Sequence, residues 1–171
     1  KLSEYAKNVL CYEIDTTLKE LLEDNLKDCN NVDIIFKDFL KANVIEDIKK
    51  YSYKKLYVVA NLPYYITTPI IIKFIEDNIP VDKIVVMVQK EVAKRLAAIP
   101  GEKLAGAITY SVQYYCIPEE IVEVPNESFI PAPEVESEVI KLVLRQEKPV
   151  EVKNEKKFFN LIKVSFMQRR K

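Results

Sequence analysis

Residues 59–69 read VANLPYYITTP and form the junction between a predicted strand and a predicted helix. The apolar run at 56–60 is typical of a buried strand. Thr68 and Pro69 make a good helix start, with the threonine as N-cap and the proline at the first helical position. Between them the chain places an amide, a proline and two aromatic rings. The corner therefore predicts polar and aromatic groups concentrated at the carboxyl end of a strand.

The same alternation of strand and helix extends on both sides of this corner. Other apolar runs that predict strands lie at residues 9–14, 32–36, 84–88, 121–124 and 139–144. Helical spacing recurs at residues 17–26, 42–50, 68–77, 90–98, 104–115 and 158–171. Such alternation is typical of a sheet covered on both faces, so the fold class is α/β with a doubly wound, mostly parallel sheet. Only a bend, PNESFIPAP, joins the last two strands, which predicts an antiparallel strand at one edge.

The composition is that of a soluble globular chain of single-domain length. The chain has 171 residues, 49% of them hydrophobic, enough for one sizeable core. No apolar run approaches the roughly 18 residues of a membrane helix, and the first residues lack the order of a signal peptide. The cysteines, Cys11, Cys29 and Cys116, are too few and too scattered for a disulfide framework. We therefore expect a cytoplasmic protein with no membrane partner.

Two absences exclude classes of site. The chain has no histidine, which excludes a Ser-His or Cys-His nucleophile pair and any histidine-bound metal, so no metal is predicted. Its only glycines are Gly101 and Gly106, which excludes a glycine-rich phosphate or dinucleotide loop within these residues. Basic and acidic residues are equal at 26 each, so any basic surface for nucleic acid must be local.

Ligands in doubly wound sheets bind beyond the carboxyl ends of the strands, where Glu13, Asp38 and Asn61 are predicted to lie. Glu13 is placed to accept hydrogen bonds from a ribose diol, and the alternative is a solvated acid near a helix N-terminus. Asp38 is placed to accept from an adenine amino group, with the backbone N–H of Phe39 donating to the ring. The alternative for Asp38 is a turn aspartate that caps the next helix.

The tetrapeptide NLPY at 61–64 is the most specific signal. The amide oxygen of Asn61 and a backbone carbonyl can both accept hydrogen bonds from an exocyclic NH₂ group, which orients that amine toward an electrophile. Pro63 stiffens the corner, and Tyr64 offers a face on which a base can stack, worth roughly 1–3 kcal/mol. The alternative is an ordinary turn from strand to helix with a packed aromatic side chain.

Several segments together resemble the KsgA-type (RsmA) ribosomal RNA adenine dimethyltransferases. In the order of that family these are NLPY at 61–64, ITTP at 66–69, VQKEVA at 88–93, SFIPAP at 128–133 and QRRK at 168–171. The resemblance covers essentially the whole chain. Erythromycin-resistance methyltransferases share the Asn-x-Pro-Tyr corner, but NLPY followed by TTP, and the QKEVA segment, are more similar to the housekeeping branch.

The resemblance implies an enzyme that uses S-adenosylmethionine on a Rossmann-like methyltransferase fold. It would transfer two methyl groups to N6 of each of two adjacent adenosines near the 3′ end of small-subunit rRNA, in ribosome biogenesis. The partner would be small-subunit rRNA in an immature 30S-type subunit, and the protein would be a monomer. A target adenine must be single-stranded or turned out of its stack to enter such a site.

The resemblance also assigns roles to residues at matching positions. The donor would be held by Glu13, Ile14, Asp38, Phe39 and Asn61. The catalytic residues would be Asn61, Leu62, Pro63 and Tyr64, with the ring of Tyr64 on one face of the target base and Phe129 on the other. For Phe129 a role as a core aromatic is an equal alternative. RNA contacts would come from Lys90, Arg95, Arg169 and Arg170. Lys94 and Lys103 extend this candidate basic patch, and the alternative for it is a solvated helix face.

Two parts of the family pattern are expected outside this chain. A first strand with its glycine-rich turn would precede Lys1, and most of a small helical domain would follow. We therefore interpret residues 1–147 as an N-terminally truncated methyltransferase catalytic domain. Residues 148–171 would be a linker and the first helix of the C-terminal helical domain, and the chain alone would be inactive. Glu136 stands where the family pattern leads us to expect aspartate. Glu134 stands where lysine is expected, and this departure weakens a possible phosphate contact.

Two other functions remain open on sequence alone. A non-catalytic RNA-binding or ribosome-assembly factor could use the same sheet without transferring methyl groups. An erythromycin-resistance-type enzyme would act instead on adenine of large-subunit rRNA.

Overall fold

The computed structural model describes residues 1–167, which fold as two compact units, Lys1–Lys54 and a second that begins at Lys55. The first unit contains, in chain order, α1 (Leu2–Tyr5), β1 (Val9–Glu13), α2 (Lys19–Leu26), β2 (Val32–Phe36) and α3 (Val44–Ile48). β1 and β2 pair in parallel, in a register that runs from Val9 opposite Val32 to Glu13 opposite Phe36. Both strands therefore end at the same edge, as the sequence predicted.

The second unit carries a four-stranded sheet with helices. Its elements are β3 (Tyr57–Asn61), α4 (Thr67–Glu76), β4 (Lys83–Gln89), α5 (Lys90–Ala97), α6 (Ala107–Tyr115), β5 (Cys116–Val124), β6 (Ser137–Leu144) and α7 (Glu155–Met167). The strand order is β3-β4-β6-β5. β3 and β4 are parallel, whereas β6 is antiparallel to both β4 and β5. The predicted α/β class and the antiparallel pair at one end of the sheet are confirmed.

The antiparallel strand itself lies one position inside the sheet edge. The connection from β5 to β6 contains only a single turn of 3₁₀ helix, Asn126–Ser128. A connection without a longer helix reverses the chain and pairs β6 directly with the strand before it. β6 also pairs along its length with β4, so β5 becomes the outer strand.

The core of this unit is built on β4 and β6. Alternate residues of the two strands are buried, including Ile84, Val88, Ile140 and Leu142, each with no solvent exposure. In α4 the buried side chains include Ile70, Ile71, Phe74 and Ile75, the apolar face that helical spacing predicted. Two neighbouring strands that bury alternate apolar residues anchor the sheet in the interior.

The start of α4 differs from the sequence prediction. Thr68 is the second residue of α4 rather than its N-cap, because a 3₁₀ turn over Tyr64–Ile66 runs directly into the helix. The hydroxyl of Thr67 donates to the carbonyl of Pro63 at 3.2 Å and ties that turn to the helix. Pro69 occupies the first turn, where backbone N–H groups have no helical acceptor.

Helix α7 packs on α6 within the second unit. The ring of Phe159 stacks on Tyr115 with centroids 5.4 Å apart. The carboxylate of Glu155 accepts from the hydroxyls of Tyr114 at 3.1 Å and Tyr115 at 2.7 Å, and it pairs with Lys148. The hydrogen bond from Lys148, followed by those from Tyr115 and Tyr114, lowers the pKa of Glu155. The interpretation of residues 148–171 as part of a second domain stays a prediction.

The burial of β6 makes a stability prediction. Replacing Ile140 by alanine in the full-length protein is expected to lower the free energy of unfolding by about 2–5 kcal/mol, because the cavity cannot collapse fully in a packed sheet. Urea denaturation measures the loss. The matched control is Ile130→Ala, expected to be close to neutral because Ile130 is 102% exposed. Equal losses for the two variants would contradict a core centred on β6.

Candidate functional site

The NLPY corner carries two hydrogen-bond acceptors, the Asn61 amide and the Leu62 carbonyl, that the secondary structure does not use. Asn61 is the last residue of β3, opposite Met87 of β4, and its side chain is exposed. The carbonyl of Pro63 holds the turn, because it accepts from the backbone N–H of Ile66 at 3.1 Å and from Thr67. Within residues 55–167 neither the Asn61 amide nor the Leu62 carbonyl has a hydrogen-bond partner. Both acceptors are therefore available to a ligand.

Tyr64 is anchored by a residue that the sequence analysis did not identify. Its hydroxyl lies 2.7 Å from the hydroxyl of Ser137, and either can donate. Ser137 is completely buried at the start of β6, opposite Gln89 of β4 and Val124 of β5. A lone serine at a strand start has no sequence signal for such a contact, which depends on residues 73 positions apart. Tyr65, the next residue, is 83% exposed.

Phe129 lies in the connection between β5 and β6. Because Val124 and Ser137 are paired, this connection leaves and re-enters the sheet at one end, the end where β3 and β4 finish. Phe129 is half-buried, and its backbone N–H donates to the carbonyl of Asn126 at 3.1 Å. It makes no ring contact with another aromatic of residues 55–167. The structure thus brings Phe129 to the same sheet end as Asn61 and Tyr64.

In the first unit, Glu13 is the last residue of β1 and Asp38 lies two residues after the end of β2. The backbone N–H of Lys37 donates to the carbonyl of Glu13 at 2.8 Å, which joins the two strand ends. Oε1 of Glu13 accepts from the N–H of Asp15 at 2.8 Å. Ile14, between them, is 68% exposed. These contacts orient the Glu13 carboxylate at the carboxyl edge of this unit.

Asp38 caps the short helical turn after β2. Its Oδ1 accepts from the N–H of Leu40 at 3.0 Å, and Oδ2 lies 3.7 Å from Nζ of Lys41. The alternative reading of Asp38 as a capping aspartate is therefore present in the structure. The ring of Phe39 meets Tyr12 edge-to-face with centroids 5.1 Å apart, and Tyr12 donates to Asp47 at 2.8 Å. Tyr12 is a second supporting residue that its strand pattern did not reveal.

The candidate basic patch is paired with acids. Nζ of Lys90 lies 2.9 Å from Glu123 and 2.8 Å from Glu136, and the hydrogen bond to Glu123 raises the pKa of Lys90. Arg95 pairs with Glu91 at 2.5 Å. The same hydrogen bond to Lys90 lowers the pKa of Glu123. The patch therefore carries positive charge that neighbouring carboxylates largely compensate.

Lys94 faces a buried acid. Its Nζ lies 3.0 Å from Glu120 and 3.5 Å from Oε2 of Glu138, which is 2% exposed. Burial raises the pKa of Glu138, because the charged carboxylate loses solvation there. Among the basic residues predicted for this patch, Lys103 has no acidic partner within residues 1–167. Arg169 and Arg170 lie outside the described residues.

Residues 1–167 contain neither a metal-binding cluster nor a membrane-spanning helix. No group of three or more histidine, cysteine, aspartate and glutamate side chains is arranged to hold a metal ion. No helix in this range is both long enough and apolar enough to cross a membrane.

Comparison with solved structures supports the fold. A dimethyladenosine transferase from Plasmodium falciparum superposes with a TM-score of 0.80 at 27% identity, over 99% of this chain and 59% of that one. The 23S rRNA methyltransferase ErmE superposes with a TM-score of 0.73 at 22% identity, over 97% of this chain and 64% of that one. The second likeness concerns the fold alone.

Sequence comparison gives relatives of higher identity that are named ribosomal RNA small subunit methyltransferase A. The protein of Clostridioides difficile is 48% identical over 172 residues, and that of Lachnoclostridium phytofermentans is 50% identical over 172 residues. These alignments cover 100% and 99% of this chain but 60% and 59% of the relatives, so the chain spans about three-fifths of their length. The family model described as ribosomal RNA adenine dimethylase matches residues 1–171. The resemblance seen in the motifs is confirmed, and the chain belongs to the ribosomal RNA adenine dimethylase family.

Proposed function

We propose that the protein transfers methyl groups from S-adenosylmethionine to N6 of two adjacent adenosines near the 3′ end of small-subunit rRNA, during ribosome biogenesis in the cytoplasm. The observation that carries the proposal is the pair of acceptors, Asn61 and the Leu62 carbonyl, that lack a hydrogen-bond partner within residues 55–167 and lie next to an anchored Tyr64. The names of the relatives, which are small-subunit rRNA methyltransferases, support the choice of substrate.

The two acceptors suit the chemistry of an adenine amine. The N6 lone pair is delocalised into the ring, which makes the nitrogen a poor nucleophile. Hydrogen bonds from both N6 hydrogens to Asn61 Oδ1 and the Leu62 carbonyl favour a pyramidal amine and direct its lone pair. Tyr64 supports the base by stacking. This arrangement needs no histidine, because after methyl transfer the nitrogen is strongly acidic and water takes the proton.

The donor-binding residues have the acceptors that the donor requires. S-adenosylmethionine supplies a methyl group activated by a sulfonium centre. Glu13 uses Oε1 internally, and its Oε2 has no partner within residues 1–54, so it is available to a ribose diol. Asp38 uses Oδ1 as a cap, and its Oδ2, which lies 3.7 Å from Nζ of the exposed Lys41, accepts from an adenine amine in place of that ion pair, beside the backbone N–H of Phe39. Ile14 contributes apolar surface next to Glu13.

In the proposed complex, RNA binds at the sheet end that carries Phe129. Phe129 stacks on the face of the target adenine opposite Tyr64, and Pro63 stiffens the corner that carries Tyr64. Lys90 and Arg95, with Arg169 and Arg170 from the end of the chain, contact phosphates. Because the carboxylates hold Lys90, RNA must compete with Glu123 and Glu136 for it. The protein acts on an immature 30S-type subunit as a monomer.

Removing the amide of Asn61 tests the proposed function. Asn61→Ala in the full-length protein is expected to lower methyl transfer by about 10²-fold or more, since one of two groups that orient the nucleophile is lost. The assay follows labelled methyl from S-adenosylmethionine into small subunits that lack the modification, with large subunits in parallel. If the unmutated protein methylates large subunits instead, the erythromycin-resistance-type activity is favoured. If it methylates neither subunit, a non-catalytic assembly factor is favoured.

The control for this variant is Asn160→Ala, which removes the same group from an exposed position of α7. Circular dichroism checks that both variants remain folded. Full activity of folded Asn61→Ala would refute the mechanism.

Loosening the acids around Lys90 tests the RNA contact. Glu123→Gln is expected to tighten binding of an RNA from the 3′ end of small-subunit rRNA, because Lys90 and Lys94 each lose an acidic partner. The slope of log K against log salt should steepen by about 0.7 for each lysine that gains a phosphate. Fluorescence anisotropy at several salt concentrations measures both quantities.

Glu119→Gln is the matched control, because Glu119 has the same charge and lies on the same strand but pairs with Lys141 at 2.6 Å. Both variants change the net charge equally. Equal effects on affinity and slope would show that Lys90 does not contact RNA.

A further inference from the structure

We propose that Ser137 is a positioning residue for the reaction, which holds Tyr64 in the orientation that receives the target base. This inference deepens the proposed function and rests on it. Ser137 does not reach the acceptor pair of Asn61 and Leu62 by any hydrogen bond, so it acts through Tyr64.

The hydrogen bond joins Tyr64, which lies in a short turn, to Ser137, which is buried in the sheet. Tyr64 is half-buried in a 3₁₀ turn of three residues, and its ring can leave one χ1 rotamer for another unless its tip is held. The Oη of Tyr64 lies 2.7 Å from Oγ of Ser137, a normal distance for two hydroxyls. Ser137 has no solvent exposure and belongs to a strand paired on both sides. The phenol tip is therefore tied to a buried residue of a strand inside the sheet.

The position of Ser137 also connects both proposed stacking rings. Ser137 is opposite Val124, and these two residues bound the connection that carries Phe129. One buried residue thus anchors the ring of Tyr64 and ends the segment that places Phe129. A base stacked between two rings requires a defined distance between them. Here the positions of both rings depend on the same pair of strands, β5 and β6.

Other contacts hold the backbone of the corner but not this ring. The carbonyl of Pro63 accepts from Ile66 and Thr67, which shapes the turn. Ser137 provides the hydrogen bond of the Tyr64 hydroxyl within residues 55–167. Without it the turn can persist while the ring moves, which separates positioning from folding.

A double-mutant cycle in the full-length protein tests the inference. Ser137→Ala, Tyr64→Phe and the double variant are assayed for methyl transfer to unmodified small subunits, with kcat and the KM for S-adenosylmethionine determined separately. Each single variant is expected to lower kcat by roughly 3- to 10-fold, the effect of one lost hydrogen bond, with KM for the donor unchanged. The double variant should be no slower than the slower single variant, because both changes break the same contact.

The control is Tyr65→Phe, which removes the same hydroxyl from the exposed neighbouring ring and is expected to leave kcat unchanged. Thermal unfolding verifies that each variant is folded at the assay temperature. If Ser137→Ala does not fold, Ser137→Cys replaces it in the cycle, since the thiol has similar volume and donates only weakly.

The outcomes separate this inference from the function on which it rests. Multiplicative losses in the double variant, or an unchanged kcat in Ser137→Ala, would overturn the positioning role while the wild-type activity stands. A rise in the donor KM with no change in kcat would also overturn it. A wild-type protein without activity on small subunits would overturn the proposed function, and this inference with it.

Discussion

The insertion of β6 between β4 and β5 is the constraint on which the second unit depends. Its even-numbered residues Ile140 and Leu142 are buried without exposure, whereas Lys141, between them, pairs with an acid of β5. A shift of one residue would exchange these faces and bury a lysine in place of an isoleucine, so the register is strongly specified. The same register sets Ser137 opposite both Gln89 and Val124. The geometry of the candidate site is therefore secured by the hydrophobic core.

Local sequence patterns were enough to predict most elements and the class of the fold. Runs of β-branched residues marked the strands, and the apolar face of α4 was correct residue by residue. The N-cap of α4 was wrong because the Tyr64–Ile66 turn is stabilised by Thr67 and the Pro63 carbonyl, a pairing that intrinsic preferences do not include. The position of β6 between β4 and β5 also depends on pairing across the sheet, which a local pattern cannot specify.

The candidate site shows the same division. Asn61, Leu62 and Tyr64 were predictable because their chemistry is concentrated in four consecutive residues. Ser137 and the acids around Lys90 were not, since they reach their partners across 73, 33 and 46 positions of chain. A net charge of zero indicated only that a basic surface must be local. The structure adds that the lysines of α5 are already engaged with carboxylates of β5 and of the segment before β6.

The acceptors of the NLPY corner are neutral groups, which matters for the proposed binding of RNA, a polyanion. Closely spaced phosphates create a negative potential that raises the pKa of nearby carboxylates and imidazoles, and this shift varies with salt and with the folding of the RNA. An amide oxygen and a peptide carbonyl do not gain a proton at the pH values at which carboxylates and imidazoles titrate. Their ability to accept a hydrogen bond from an amine therefore stays constant. Under the proposed function, the Asn61–Leu62 pair would keep the same hydrogen-bonding character while the rRNA around it changes its shape and its counterions.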